Sequence, residues 1–471
     1  MTTTITSIGS NQNINSQTPS TCTSSGTDEW VVVFASTPSA SVVIGDLYVA
    51  EDEQTTFNVY YYLVTAISGT SYTLKYVKCD DNSMMGCSST SPCDVYGWDF
   101  GPAEGRFQRA FSTITFFEEM VDDASPLYWG TTDDVVGECH GDGDFTDPSV
   151  SFTQKRSLSS VKLTAYSADR HTGIASGTGG GKVLLRPTTG STHDLGIFRV
   201  GIDSLTIEWI EIDMSELDAT ATNKAVVLNG TNDDFILRNM LIHDKGGDPG
   251  GSGPHIIHTI AAGASTDTLT IQNNIIYDIV ETDNDSAVAL NLNQWAGISN
   301  VYNNTIYKLT CNGSSKTSTG IIFGNPSTAV ANIKNNIISL LGGNGSKRAY
   351  WKNGSGSTAN TANNLSDDTA DTTYDAEDMG QALDDTSALI GKTLAQIAFV
   401  STTSGAVGAF HLGADSVARE AGVDLGTTNE VNIDIDGVDR DATGVTWDIG
   451  ADQASGGAST SGKAFLIFLD I

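Results

Sequence analysis

Leu205-Thr-Ile-Glu-Trp-Ile-Glu-Ile-Asp213, Phe235-Ile-Leu-Arg-Asn-Met-Leu-Ile-His-Asp244, Leu269-Thr-Ile-Gln-Asn-Asn-Ile-Ile-Tyr-Asp278, Asn300-Val-Tyr-Asn-Asn-Thr-Ile-Tyr-Lys308 and Asn332-Ile-Lys-Asn-Asn-Ile-Ile-Ser339 repeat one pattern. Aligned on their central position, the anchors are Trp209, Asn239, Asn273, Asn303 and Asn335, with steps of 30, 34, 30 and 32 residues. A degenerate sixth copy, Ala362-Asn-Asn-Leu365, places Asn363 another 28 residues on. A repeat of this length specifies a solenoid, in which each turn buries its apolar face only by stacking on its neighbours. The anchor asparagines suit turns, because Asn tolerates left-handed backbone angles. Stacked turn upon turn, Trp209, Asn239, Asn273, Asn303, Asn335 and Asn363 are expected to form a structural ladder, with the Asn side chains bonding each other along the axis. The Ile pairs 275–276 and 337–338 are expected to point into the core.

Composition agrees with many short strands and turns. The 471 residues include 49 Gly and 10 Pro, with 17% charged and 39% hydrophobic residues. The formal net charge is −33, from 24 Lys+Arg against 57 Asp+Glu, which argues against a nucleic-acid partner. Met1-Thr-Thr-Thr-Ile-Thr6 lacks a basic region and an apolar stretch, so no secretory leader is expected. The longest apolar runs are too short for membrane insertion. Three of the six cysteines, Cys79, Cys87 and Cys93, crowd one loop-like stretch; their spacing fits a local disulfide or free thiols but no zinc motif.

The chain divides as follows. Residues 1–27 read as a flexible arm and 28–104 as a small β-rich attachment module, with strands at Trp30–Phe34, Ser41–Val49, Tyr60–Ile67 and Ser71–Val77. Residues 105–150 hold one amphipathic helix and the entry to the solenoid. Thr115 and Glu118 suggest a capping box, with Phe116, Met120 and Phe117 as the buried stripe. Such a helix is expected to plug the open end of the solenoid. Residues 151–370 are the parallel β-helix, 371–453 its C-terminal closure, and 454–471 a Gly/Ser linker with an apolar strand. That last strand, Phe465, Leu466, Ile467, Phe468 and Leu469, is expected to attach to a neighbouring chain by strand addition.

Phe410-His-Leu-Gly-Ala-Asp-Ser-Val-Ala-Arg-Glu-Ala-Gly-Val-Asp424 is followed by Asp434-Ile-Asp-Gly-Val-Asp-Arg440 and Trp447-Asp-Ile-Gly-Ala-Asp452. This order resembles the C-terminal closure of right-handed parallel β-helix proteins of the pectate-lyase-like superfamily. The final acidic position of that pattern is Gln453 here. The resemblance spans residues 105–453. It implies an all-β, right-handed, single-stranded parallel β-helix, with the N-terminal module, capping helix and tethered C-terminal strand added. It also implies an ion pair between Asp436 and Arg440. For function it implies little, because the superfamily includes lyases, hydrolases, adhesins and phage virion proteins.

Candidate catalytic carboxylates are Asp244, Asp278, Asp283 and Asp285; Asp244 and Asp278 occupy equivalent positions in adjacent turns, about 5 Å apart. Tyr277, Trp295 and Tyr307 are candidate glycan contacts. Asp142, Asp144, Asp434 and Asp436 are candidate ligands of a structural divalent cation such as calcium, although Asp434–Asp441 fails the EF-hand pattern. No other cofactor is expected. Alternation along a strand places His255 and His258 on opposite faces, as ordinary histidines. No phosphate-binding loop, dinucleotide fingerprint, nucleophile elbow or HExxH is present.

The expected function is a structural virion protein of a tailed bacteriophage: a capsid decoration, fibre or spike held through both termini by other virion proteins. A homotrimer is the expected assembly, made in a host cytoplasm and displayed on the particle. The alternative is a carbohydrate-active β-helix, either a polysaccharide lyase or hydrolase tailspike or a surface protein binding a host glycan at the cell surface or outside the cell. The sequence favours a non-enzymatic role, since no acid or base recurs at the repeat anchors.

Overall fold

The computed structural model describes residues 3–454 apart from 10–14, 18, 26–28, 35, 39–41, 53–57, 81–104, 109, 123–133, 156–157, 177–181, 189–195, 218–223, 230–233, 247–252, 261–262, 283–284, 314–315, 325–327, 340, 345, 354–355, 368–386 and 443–445. Asp283 and the apolar tail Phe465–Leu469 therefore lie outside the described residues.

The repeat folds as a parallel β-solenoid of about six turns. Each turn runs through three sheets. The first is built from Asp134–Cys139, Ser160–Ala165, Leu205–Glu208, Phe235–Arg238, Thr268–Gln272, Ile298–Tyr302, Val330–Lys334 and Thr358–Ala362. A corner leads into the third sheet, which includes Glu211–Asp213, Leu241–His243, Ile275–Glu281, Thr305–Cys311, Ile337–Ser339 and Leu365–Ser366. The second sheet, from Val150–Phe152 to Ser346–Lys352, completes the turn. All neighbouring strands pair in parallel at the repeat register, as in Ile271↔Val301 and Val301↔Ile333. Among the described residues no helix is long and apolar enough to cross a membrane.

Inward residues of the three sheets form one continuous core, including Leu237, Ile271, Val301, Ile333, Ile276, Ile306, Ile338 and Trp295. The Ile pairs do not both join it. Ile276 and Ile338 point inward, whereas Ile275 and Ile337 belong to two separate apolar clusters on the outer face of the third sheet. Successive residues of a strand face opposite ways, so a double Ile records burial on both faces.

The N-terminal module is a seven-stranded antiparallel sheet. It includes the Ser68–Ser71 hairpin, in which Gly69 takes φ +60°. The segment expected to be a flexible arm contains three strands. Thr3–Ile8 pairs in parallel with Asp134–Cys139 at the start of the solenoid, and Asn15–Gln17 and Pro19–Ser24 join the module. Cys22 is disulfide-bonded, while Cys139 and Cys311 are buried free thiols; Cys87 and Cys93 lie outside the described residues.

Helix α1 spans Ile114–Asp122. Its start differs from expectation: Thr113, not Thr115, caps it, with Oγ1 accepting from Phe116 N at 3.0 Å. Phe117 is buried as expected, with Ile114 and Val121, but Phe116 is 40% exposed; the side chain of Met120 lies outside the described residues. Glu118 is not at the N-terminus but buried, and burial with Asp122 nearby pushes its carboxyl up to about 8.

Candidate functional site

The corner between the first and third sheets carries two asparagine columns. The first residue of each corner adopts a left-handed angle: Trp209 at φ +60°, Asn239 +52°, Asn273 +55°, Asn303 +53°, Asn335 +57° and Asn363 +52°. These anchors do not form the expected ladder. Their immediate successors do. Asn274 Nδ2 donates to Asn304 Oδ1 at 2.9 Å, Asn304 Nδ2 to Asn336 Oδ1 at 3.0 Å, and Asn336 Nδ2 to Asn364 Oδ1 at 3.0 Å. Each of these amides also bonds to carbonyls one turn back, at Leu237, Ile271, Val301 and Ile333. Each Oδ1 accepts a backbone N–H, from Met240, Asn274, Asn304 and Asn336 in turn. The column is almost fully buried, and low dielectric strengthens bonds that are all made.

The anchors face outward and hold a different partner. Residues 387–454 leave the end of the solenoid and run back along its third sheet as a strap. Asn363 Nδ2 donates to Ala421 O, Asn335 to Val423 O, Asn303 to Val431 O, Asn273 to Ile433 O and Asn239 to Asp434 O, at 2.6–3.2 Å. Asn335 Oδ1 accepts Val423 N in return, at 2.9 Å. Arg238 and Gln272 both donate to Asn429 O, and Arg238 Nη2 pairs with Glu430 at 3.0 Å. The other side of Arg238 holds buried Glu208, which Lys162 also contacts. Trp209 lacks the amide; instead Arg170 stacks over its ring at 4.9 Å.

The strap covers two of the three candidate glycan contacts. Tyr277 and Tyr307 are 1% and 4% exposed and pack against Phe410 and Phe399, with Tyr277 OH bonded to Ser404. Trp295 lies inside the solenoid core and donates Nε1 to Ile298 O. None of the three presents a ring to solvent, because in each case the surrounding apolar surface is buried by the chain itself.

The candidate carboxylates are engaged in ion pairs and turns. Asp278 pairs with Lys308 at 2.6 Å. Asp285 accepts from Gly253 N and Ser286 N, bracing a loop, and lies 3.6 Å from Lys316. Asp244 bonds His243 Nδ1 at 2.8 Å, while His243 Nε2 lies 2.9 Å from Glu211. Burial alone lowers the His243 imidazole, but bonds to Asp244 and Glu211 outweigh it and push it up to about 9. Burial raises Glu211, yet bonds from His243 and Ser176 hold it below the usual carboxylate range. Arg186 bridges Asp213 and Asp144, at 2.7 and 3.3 Å. Asp213, His243 and Asp244 bring donor atoms within 4.8 Å of each other, but both imidazole nitrogens already face carboxylates. Near neutral pH this network is a set of fixed charges. The bonds to Asp244 and Glu211 favour the charged imidazolium, and His243 favours the ionised Glu211, so the two form a buried ion pair that braces the corner.

The closure residues are also reassigned. Asp142 packs against Gly9, where an added Cβ would meet its carboxylate at 2.6 Å. Asp434 accepts the backbone N–H groups of Asp436, Val438 and Gln453, forming a turn. Asp436 pairs with His411 at 2.9 Å, not with Arg440. Arg440 is fully buried and donates to the Gly450 and Ala451 carbonyls at 2.8 Å each. Gln453 Oε1 accepts from Arg440 and from Asp448 N. His255 and His258 are not on opposite faces: their rings meet edge-on, with centroids 4.7 Å apart. Ile256 and Ile257 between them are both fully buried, which breaks the alternation.

His411, Glu211, His243 and Arg238 were not singled out as a docking system by the sequence, since nothing local marks a residue that a distant segment will cover. The doubled Ile and the Ile-Ile-Tyr and Thr-Ile-Tyr runs were the available signal. No known protein-family model and no curated protein matches this sequence.

Proposed function

We propose that the chain is a non-catalytic structural scaffold, a virion protein of a tailed bacteriophage displayed as a decoration, fibre or spike. The observation that carries the structural reading is the outer asparagine column. It seals the strap over the flank where the sequence offered aromatic and acidic side chains to a glycan. The candidate carboxylates on the described residues support it too, because they are paired with Lys308, His243 and Arg186 or turned into loop braces. The phage assignment rests on the closure motif and on the acidic shell, and brings with it membership of the pectate-lyase-like superfamily and a right-handed coil.

In this reading α1 caps the first turn. Phe117 reaches the solenoid core beside Phe152, and Thr3–Ile8 covers the adjoining sheet edge. The tail 454–471 pairs with another virion subunit, and a homotrimer places three solenoids side by side. Two measurements on the full chain test the proposal. Antibodies raised against it are expected to label tailed particles in electron micrographs, and a panel of bacterial polysaccharides is expected to remain uncut. Release of new reducing or unsaturated ends from any of them would overturn the non-catalytic reading; labelling confined to free protein would overturn the virion reading.

A further inference from the structure

Three parts of the strap meet at one point. His411 Nδ1 lies 2.8 Å from the Ala409 carbonyl, so Nδ1 carries a proton and Nε2 is the nitrogen turned to the other groups. Nε2 lies 2.9 Å from Asp436 Oδ1. Asp452 completes the set: one donor atom from each of the three lies within 4.8 Å of the others. Gly173, at φ +70°, lets a solenoid loop approach the same imidazole; a Cβ there would stand 3.2 Å from His411 Cε1.

Asp452 supplies a second, separate observation. It is 3% exposed, yet only Oδ2 is hydrogen-bonded, to Leu412 N at 2.7 Å, and Oδ1 has no hydrogen-bond partner among the described residues. Arg440, the buried cation of this closure, gives its Nη donors to backbone carbonyls and Gln453, and among the described residues it makes no ion pair with Asp452. The second oxygen of Asp452, an oriented imidazole and a second carboxylate together offer a nitrogen and two oxygens to one cation.

We propose that His411, Asp436 and Asp452 bind a divalent transition metal, Zn2+ or Mn2+, that ties the three strap segments together. One imidazole nitrogen with two carboxylate oxygens suits these ions. Ca2+ prefers six to eight oxygens and no nitrogen. The Asp436 side chain is 30% exposed, so an ion can enter and keep bound water. Binding displaces the proton shared by Nε2 and Asp436 to solvent. This assignment is independent of the virion reading, since it concerns only the closure.

The test is calorimetric titration of the chelator-treated full chain with Zn2+, Mn2+ and Ca2+, with thermal melting alongside. One saturable site per chain is expected for Zn2+ or Mn2+, with weaker Ca2+ binding and a raised Tm. Asp436→Asn and His411→Gln should each weaken binding at least tenfold, while Asp278→Asn, outside the site, leaves it unchanged. Asp436 is accessible enough for its variant to fold, and circular dichroism checks this. A cobalt-loaded sample should show visible absorption that Asp436→Asn abolishes. Absence of saturable binding, or binding unchanged by both site variants, would overturn the proposal.

Discussion

The two asparagine columns differ by one residue in sequence and by everything in environment. Asn274, Asn304, Asn336 and Asn364 bond turn to turn inside the solenoid. Asn239, Asn273, Asn303, Asn335 and Asn363 bend the backbone and fasten the strap from outside. The inner amides use both ends, whereas the outer Oδ1 atoms of Asn273 and Asn303 are buried without a partner. The inner column is thus a closed network, whereas the outer column is a row of separate attachments to the strap, from one bond at Asn303 to a reciprocal pair at Asn335. A closed buried network loses several bonds when one member goes, while a single attachment loses one.

The largest expected effect follows from that asymmetry. Asn304→Ala removes the acceptor of the Asn274 backbone N–H and of one Asn274 Nδ2 bond, and the donors to the Ile271 carbonyl and Asn336 Oδ1. It should lower unfolding stability by about 4 kcal/mol, read by urea titration. Next comes the strap anchor. Arg238→Gln removes the contact to Glu430 and leaves buried Glu208 with Lys162 as its one cation among the described residues, at a cost of about 3 kcal/mol. It should also speed protease cleavage within residues 420–440, whereas Asn304→Ala acts on the solenoid as a whole.

A pH titration sharpens the same comparison, because the inner column has no titratable group and the strap side does. The His243 imidazole is pushed up to about 9 in the folded chain. A base with a raised folded value stabilises fully below its unfolded value near 6.5 and loses that contribution as pH rises through 9. Stability should therefore fall by on the order of 2 kcal/mol on this account between pH 6.5 and 9.5, and His243→Gln should make that limb shallower, leaving the share of His411, whose burial is outweighed by Asp436 and Asp452 and which is also pushed up to about 9. His171 works oppositely: burial lowers it to about 4, so its contribution is present above 6.5 and fades as pH falls toward 4. The smallest effect is expected at an outer anchor. Asn303→Gly keeps the left-handed angle free of strain and loses one bond to Val431, costing about 1 kcal/mol or less.

The solenoid was legible because its period is long-range information written into local text. Steps near 30 residues aligned Trp209 through Asn363 without any knowledge of contacts. The ladder was misplaced by one residue for a physical reason: at an Asn-Asn corner both amides look alike, and a one-residue shift exchanges inside for outside. The strap was hidden because its bonds join residues as far as 195 apart in sequence. The glycan and catalytic candidates shared that failure. Tyr277 and Tyr307 are covered by Phe410 of the distant strap, while Asp278 is paired by Lys308 of the next solenoid turn.

Glycine at adjacent corner positions tests the two-column account most directly. Both Asn303→Gly and Asn304→Gly permit the corner backbone, so the difference between them reports only what the amides hold. Unfolding free energies from one urea series should show Asn304→Gly destabilised by at least about 3 kcal/mol more than Asn303→Gly. Equal losses, or a larger loss for Asn303→Gly, would contradict the assignment of the ladder to the inner asparagines and of the strap to the outer ones.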